Sequence, residues 1–306
     1  MKKKLKNSFK YWHQILILLM VIVVGISLLK MPKIRLSSAI SPANKIAATI
    51  THPPVPVVTT KNLPQVYSDY ILIDSTTNTI LAQNNANSRI YPASTTKLAT
   101  ALTALNIYPL DEAITIGTTY SEGKVMKLET GEKITVKSLI TSLLIYSAND
   151  AAFVLANHYP QGVSGFVKEM NALVAKNNLT DTHFTNFDGI HSPDHYSTVY
   201  DLSQLARLAI KSQFIRDTVK TKHIVITDID NKYQHDLTST NELLGVIPEI
   251  EGLKTGWTPE ASGCFVGLIN INGHYLISVV AQSQDRFTDT KTLVSWAKNY
   301  VAWKSY

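Results

Sequence analysis

The chain has 306 residues, 45% of them hydrophobic and 17% charged, an ordinary globular balance that provides for a substantial core. Its formal charge of +6 resides in the leader: residues 1–35 hold eight Lys/Arg and no Asp/Glu, leaving 21 basic against 23 acidic residues downstream, which excludes a clustered cationic face for nucleic acid on the folded part. A single cysteine, Cys264, excludes an intramolecular disulfide and a cysteine metal centre, and is read as a small buried hydrophobe in a strand.

In chain order, five lysines (Lys2, Lys3, Lys4, Lys6 and Lys10) precede an uncharged run, Tyr11–Leu29, whose centre Ile15–Val24 is unbroken Ile, Leu, Met and Val. This is an export signal, with residues 1–10 expected in the cytoplasm and 11–31 expected as a transmembrane signal-anchor. A small-residue cleavage site can be read at Ser37–Ala39, but Lys30, Lys33 and Arg35 intervene and suit a membrane-boundary flank better, so an uncleaved anchor is expected. Residues 32–64 hold Pro32, Pro42, Pro53, Pro54, Pro56 and Pro64 without periodicity and are read as a semi-extended spacer. The remaining segment, 65–306, is expected to be a single catalytic domain outside the membrane.

Within it, Asp69–Asp74, a polar turn Ser75–Asn78 and Thr79–Gln83 read as a β-hairpin. Leu98, Ala101, Leu102 and Leu105 form a helical stripe, and Val136–Ile145 and Tyr200–Ile210 are two more helix candidates. Cys264–Asn270 and His274–Val280 flank Ile271-Asn272-Gly273, a strong hairpin signal. A last helix presents Leu293, Trp296, Ala297 and Tyr300 on one face. Strands at both ends with helices between predict an α+β fold: an antiparallel sheet flanked by helices, with an inserted, mostly helical subdomain.

The chemistry lies in three motifs. Tyr91-Pro92-Ala93-Ser94-Thr95-Thr96-Lys97 places Ser94 at the start of the first helix with Lys97 one turn on. A serine hydroxyl needs a base within hydrogen-bond reach, and a lysine at i+3 provides one once burial lowers its pKa. Ser-x-x-K alone is weak: Ser121-Glu122-Gly123-Lys124 and Ser295-Trp296-Ala297-Lys298 match it too, and both are read as coincidences. Only Ser94 is followed, in order, by Ser147-Ala148-Asn149 after an apolar helix and by Lys254-Thr255-Gly256 entering the terminal sheet; Ser239-Thr240-Asn241 falls too late for the helical insert and is read as a loop.

This ordered set resembles the signature of penicillin-binding proteins and serine β-lactamases. With its flanks Leu128-Glu129-Thr130-Gly131, His195-Tyr196-Ser197-Thr198 and Gly252–Thr258, the stretch Val66–Trp296 resembles the low-molecular-mass D-alanyl-D-alanine carboxypeptidases. The resemblance implies a β-lactamase/DD-peptidase-like fold and a hydrolase that trims peptidoglycan stem peptides through an acyl-enzyme and is inhibited by β-lactams. It makes Ser94 the nucleophile, Lys97 its base, the backbone N–H groups of Ser94 and Trp257 the oxyanion hole, and Ser147 a proton relay. Asn149 would hold Lys97 and the substrate amide, and Lys254 would add positive charge. Thr255 with Arg286 would bind the terminal carboxylate, beside Gly256 and Trp257.

Ala148 in place of the class A β-lactamase Asp, and the lack of a Glu-x-x-Leu-Asn segment, weigh against a β-lactamase. Only residues 255–306 follow Lys254, so the family's C-terminal β-rich domain and amphipathic anchor are expected to be lacking, with the N-terminal helix anchoring instead. No cofactor or metal is expected: Pro193 spoils a helical His191/His195 pair, and no Gly-x-Ser-x-Gly elbow exists. On the same scaffold a DD-endopeptidase, a β-lactam hydrolase and a non-turnover penicillin sensor stay open as alternatives.

Overall fold

The computed structural model describes residues 53–305, and its first ordered element is a strand, β1 (Val55–Val58). This strand lies inside the segment read as spacer and pairs antiparallel with the last strand, so the folded domain begins before residue 65. Pro56 is tolerated there because the two-stranded β1 ladder is an edge, where a missing N–H costs nothing. Strands β2 (Asp69–Asp74) and β3 (Ile80–Asn84) follow as the expected hairpin, closed by Asp74, whose Oδ1 accepts from the N–H groups of Thr76 and Thr77.

A 3-10 turn, Ala93–Thr96, leads into α1 (Lys97–Ile107). Every residue of α1 from Lys97 to Thr103 is buried, beyond the stripe that periodicity picks out, because its Ala and Thr side chains are small enough to admit neighbours on all sides. The insert continues with the short ladder β4 (Ala113–Thr115) and β5 (Lys133–Thr135), then α2 (Val136–Ile145), α3 (Asn149–Asn157), α4 (Gly162–Lys176), α5 (Val199–Ala209) and α6 (Gln213–Val219). Hydroxyl caps start three of these: Thr135 accepts from Ser138 N, Thr198 from Asp201 N and Ser212 from Ile215 N. A second ladder, β6 (His223–Thr227) with β7 (Gln234–Thr238), closes the insert.

The chain then returns to the main sheet through β8 (Ile250–Thr258), β9 (Ser262–Ile271) and β10 (His274–Ser283), giving the antiparallel order β3-β2-β10-β9-β8. Asn272 and Gly273 both take positive φ, 53° and 87°, as a tight two-residue turn matching the strand twist requires. Helix α7 (Arg286–Tyr300) and strand β11 (Val301–Lys304) end the fold; β11 is an element that the sequence pattern does not reveal.

Alternation sends successive side chains of the central strands to two apolar layers. Ile71, Ile73, Val266, Leu268, Ile277 and Val279 face the helical insert; Tyr70, Leu72, Phe265, Ile269 and Leu276 face α7. The sheet is therefore apolar on both faces, which explains the near-continuous hydrophobic runs. Leu293, Trp296 and Ala297 of α7 are buried as expected, whereas Tyr300 is exposed. Cys264 is fully buried in β9, where burial pushes its thiol up to about 12, as befits an inert core residue. Among the described residues no helix is long and apolar enough to cross a membrane; the span expected over 11–31 lies outside them.

Candidate active site

The three motifs converge on one cleft of about 270 Å³ between β8 and the helical insert. Ser94 sits in the 3-10 turn, and Lys97 opens α1 one turn later. Lys97 is completely buried; its Nζ lies 3.0 Å from Ser94 Oγ and donates at 2.7 Å to the carbonyl of Asp188. Burial brings its pKa down to about 8, opposed by the nearby Asp188 carboxylate. With a pKa of about 8, a lysine so placed has a neutral amine form near neutrality, and in that form its lone pair is able to accept a proton from Ser94 Oγ.

Ser147 forms the corner between α2 and α3 with φ of +70°, a strained conformation for a serine, and lines the cleft opposite Ser94. Asn149 begins α3, but its side-chain amide donates to the carbonyl of Glu122 at 2.9 Å. The second partner of Lys97 is thus the Asp188 carbonyl, not Asn149 as expected from the resemblance. Asp150 accepts from Met126 N and Leu128 N, tying the 122–128 loop to α3.

From the sheet side, β8 presents Thr255, Gly256 and Trp257. Gly256 passes so close to the nucleophile's turn that a Cβ would lie 3.0 Å from Ser94 N, which explains a glycine there. Thr255 Oγ1 is 2.6 Å from Thr240 Oγ1, so the Ser-Thr-Asn segment read as a bystander loop supplies one side of the cleft. Lys254 is buried behind this wall, its Nζ donating to the Thr255 carbonyl at 2.9 Å. Burial, then Lys97, Lys124 and Arg286, hold it well below the ordinary lysine range. Arg286, a cation on the same cleft, is the first residue of α7. A cation at a helix N-terminus opposes the helix dipole, an arrangement without local benefit to the fold.

Both ring nitrogens of His195 are hydrogen-bonded within the fold. Its Nδ1 accepts from Thr185 N, which fixes the tautomer so that Nε2 donates to Thr96 Oγ1 at 2.8 Å. Burial first, then His183, Lys97 and His191, bring its pKa down to about 3, so the ring is a neutral strut beneath the Ser94 turn. Among the described residues no cluster of His, Cys, Asp or Glu is arranged to hold a metal.

The family model described as D-alanyl-D-alanine carboxypeptidase matches residues 57–285, the range that holds all three motifs. The chain belongs to this peptidase family. It is 31% identical over 234 residues to the D-alanyl-D-alanine carboxypeptidase DacF of Bacillus subtilis, a match covering 72% of this chain and 58% of that protein. It is 33% identical over 225 residues to a D-alanyl-D-alanine carboxypeptidase of a Streptomyces species, covering 68% and 77%. The fold superposes on the crystal structure of a Streptomyces DD-transpeptidase with a TM-score of 0.73 at 30% identity, over 77% of this chain and 98% of that one. The chain spans little more than half the length of DacF.

The sequence motifs missed the Asp188 carbonyl, Gly189, Gly123, Lys124 and Thr240. Backbone acceptors leave no side-chain signature, and the Ser121–Lys124 match was judged as a nucleophile motif, whereas Gly123 and Lys124 serve as cleft wall.

Proposed function

We propose that the chain is a serine-type D-Ala-D-Ala carboxypeptidase, acting on peptidoglycan stem peptides and acylated by β-lactams. The observation that carries it is the Ser94–Lys97 contact inside a buried pocket, facing a cleft with Arg286 and Thr255 at its other end. Ser94 Oγ attacks the carbonyl of the penultimate D-alanine as its proton passes to Lys97; the bond to the terminal D-alanine breaks, and Ser147 relays the proton to the departing amine. Water then hydrolyses the ester. The backbone N–H groups of Ser94 and Trp257 stabilise the oxyanion, Asn149 holds the substrate amide, and Thr255 with Arg286 binds the terminal carboxylate. A terminal carboxylate bound there would favour a carboxypeptidase over an endopeptidase acting on an internal bond.

The deciding experiment is intact-mass measurement after incubation with a penicillin, followed by assay of D-alanine release from a peptide ending in D-Ala-D-Ala. An adduct on Ser94 with release supports the reading. An adduct without release moves the protein to an endopeptidase or a sensor, and no adduct ends the proposal. The pH dependence is a second check. Lys97 must be neutral to act as base, so acylation rises with pH through about 8 and levels above it; the rate at pH 6 is expected to be roughly 100-fold below the plateau. A flat profile between pH 6 and 9 would exclude Lys97 from the role.

The same reading places the catalytic domain outside the cell membrane, held by a single-pass anchor at residues 11–31. The support is the apolar run with five lysines before it and three basic residues after it, together with a substrate class that lies outside that membrane.

A further inference from the structure

The cleft has two charged ends. Arg286 and Thr255 lie on the β8 side, and Lys124 lies on the opposite wall beside Asn149. The backbone at Lys124 is held firmly: its carbonyl accepts from Asn149 N at 2.7 Å, and the neighbouring Glu122 carbonyl accepts the Asn149 side chain. Gly123 makes this approach possible, since a Cβ there would lie 2.5 Å from Asn149 Nδ2. The Lys124 ammonium stands 4.0 Å from the centroid of the Tyr146 ring, so the side chain is held rather than free in solvent.

What it lacks is an anion. Among the described residues Lys124 makes no salt bridge; the nearby carboxylates of Asp188 and Glu122 lie 2.9 Å and 3.3 Å from the Tyr120 hydroxyl instead. Its pKa is lowered by burial, with no carboxylate raising it. Arg286 and the Asp188 carboxylate are the other charged groups lining this cleft.

We propose that Lys124 is a specificity residue whose ammonium binds a carboxylate on the acyl part of the substrate, in the residue preceding the D-alanyl-D-alanine pair. The inference rests on Ser94 being the acylated nucleophile with the terminal carboxylate bound at Arg286 and Thr255, which leaves the Asn149 wall to the acyl side.

The test uses the full chain in detergent and peptides acetyl-X-D-Ala-D-Ala with X as Glu, Gln or Lys. Wild-type protein is expected to favour Glu over Gln by about tenfold in kcat/KM and to disfavour Lys. Lys124→Ala brings the Glu-to-Gln ratio to about one, Lys124→Glu places the Lys peptide above the Glu peptide, and Lys137→Ala, at an exposed lysine of α2, keeps the wild-type ratio. A purely structural lysine would lower all three peptides together. The proposal is overturned if wild type treats Glu and Gln alike, or if Lys124→Ala keeps their ratio. A parallel measurement compares Ser94 acylation by benzylpenicillin and by its α-carboxybenzyl analogue. If no peptide releases D-alanine, the carboxypeptidase reading fails, yet a Lys124-dependent preference for the carboxylated penicillin still upholds the inference, and its absence overturns it.

Discussion

Ser94→Ala is expected to lose the penicillin adduct entirely and to reduce D-alanine release by roughly 10⁴-fold or more, the scale at which removal of a covalent nucleophile is felt. The fold should be unaffected. Ser94 is only half-buried, and the polar partner it leaves behind, Lys97, keeps its 2.7 Å bond to the Asp188 carbonyl, so no buried amine is orphaned. A thermal midpoint within about 2 °C of wild type, together with an unchanged circular-dichroism spectrum, is the expected control. If Ser94→Ala still forms a stoichiometric adduct, peptide mapping would place it elsewhere, with Ser147 the next hydroxyl on the cleft, and the mechanism would have to be rebuilt around that residue.

How far the sequence could be read depended on the length and contrast of each signal. Strand β2 and helix α2 fall at the expected Asp69–Asp74 and Val136–Ile145, because each is an uninterrupted run of one period bounded by turn or cap residues. The Asn272-Gly273 hairpin was legible for a chemical reason, the positive φ at both positions. By contrast β1, β4, β5 and β11 are three or four residues long, too short to establish a period, and β1 carries a proline that reads as spacer. Helix α4 begins with Gly162 and contains Gly165, both of which argue locally against a helix; burial of its own Phe166, Met170 and Val174 overrides them.

At the site, side chains were legible and backbone was not. The order of the three motifs identified Ser94, Lys97, Ser147, Asn149 and the Lys254–Gly256 strand, and all of them meet around one cleft or directly behind it. The carbonyls of Glu122, Lys124 and Asp188, which hold Asn149 and Lys97 in position, carry no residue code, since any amino acid supplies a carbonyl. In the same way Lys97 Nζ donates to the Asp188 carbonyl and the Asn149 amide to the Glu122 carbonyl, partners that no side-chain motif could have indicated.

The second large effect is expected at a residue with no side chain. Gly189→Ala should lower the thermal midpoint by roughly 10 °C and reduce penicillin acylation by at least about tenfold. Gly189 has φ of +87°, and a Cβ built on it would fall 1.9 Å from the Ala93 carbonyl oxygen and 2.9 Å from Thr96 Oγ1, with backbone rather than a flexible side chain in the way. Either the Ala93–Thr96 turn moves and takes Ser94 with it, or the Asp188–Ile190 loop moves and takes away the carbonyl that Lys97 uses. Two other glycines separate the contributions. Gly131 has the same φ of +87° with nothing within 4 Å, so Gly131→Ala measures backbone strain alone, expected at about 1–2 kcal/mol. Gly117 has open space without a positive φ, so Gly117→Ala should be neutral or slightly stabilising. The excess of Gly189→Ala over Gly131→Ala is then the cost of the collision with the nucleophile's turn. Equal losses for the two variants would mean that the turn yields freely, and that the close approach of Gly189 does not hold Ser94 and Lys97 in register.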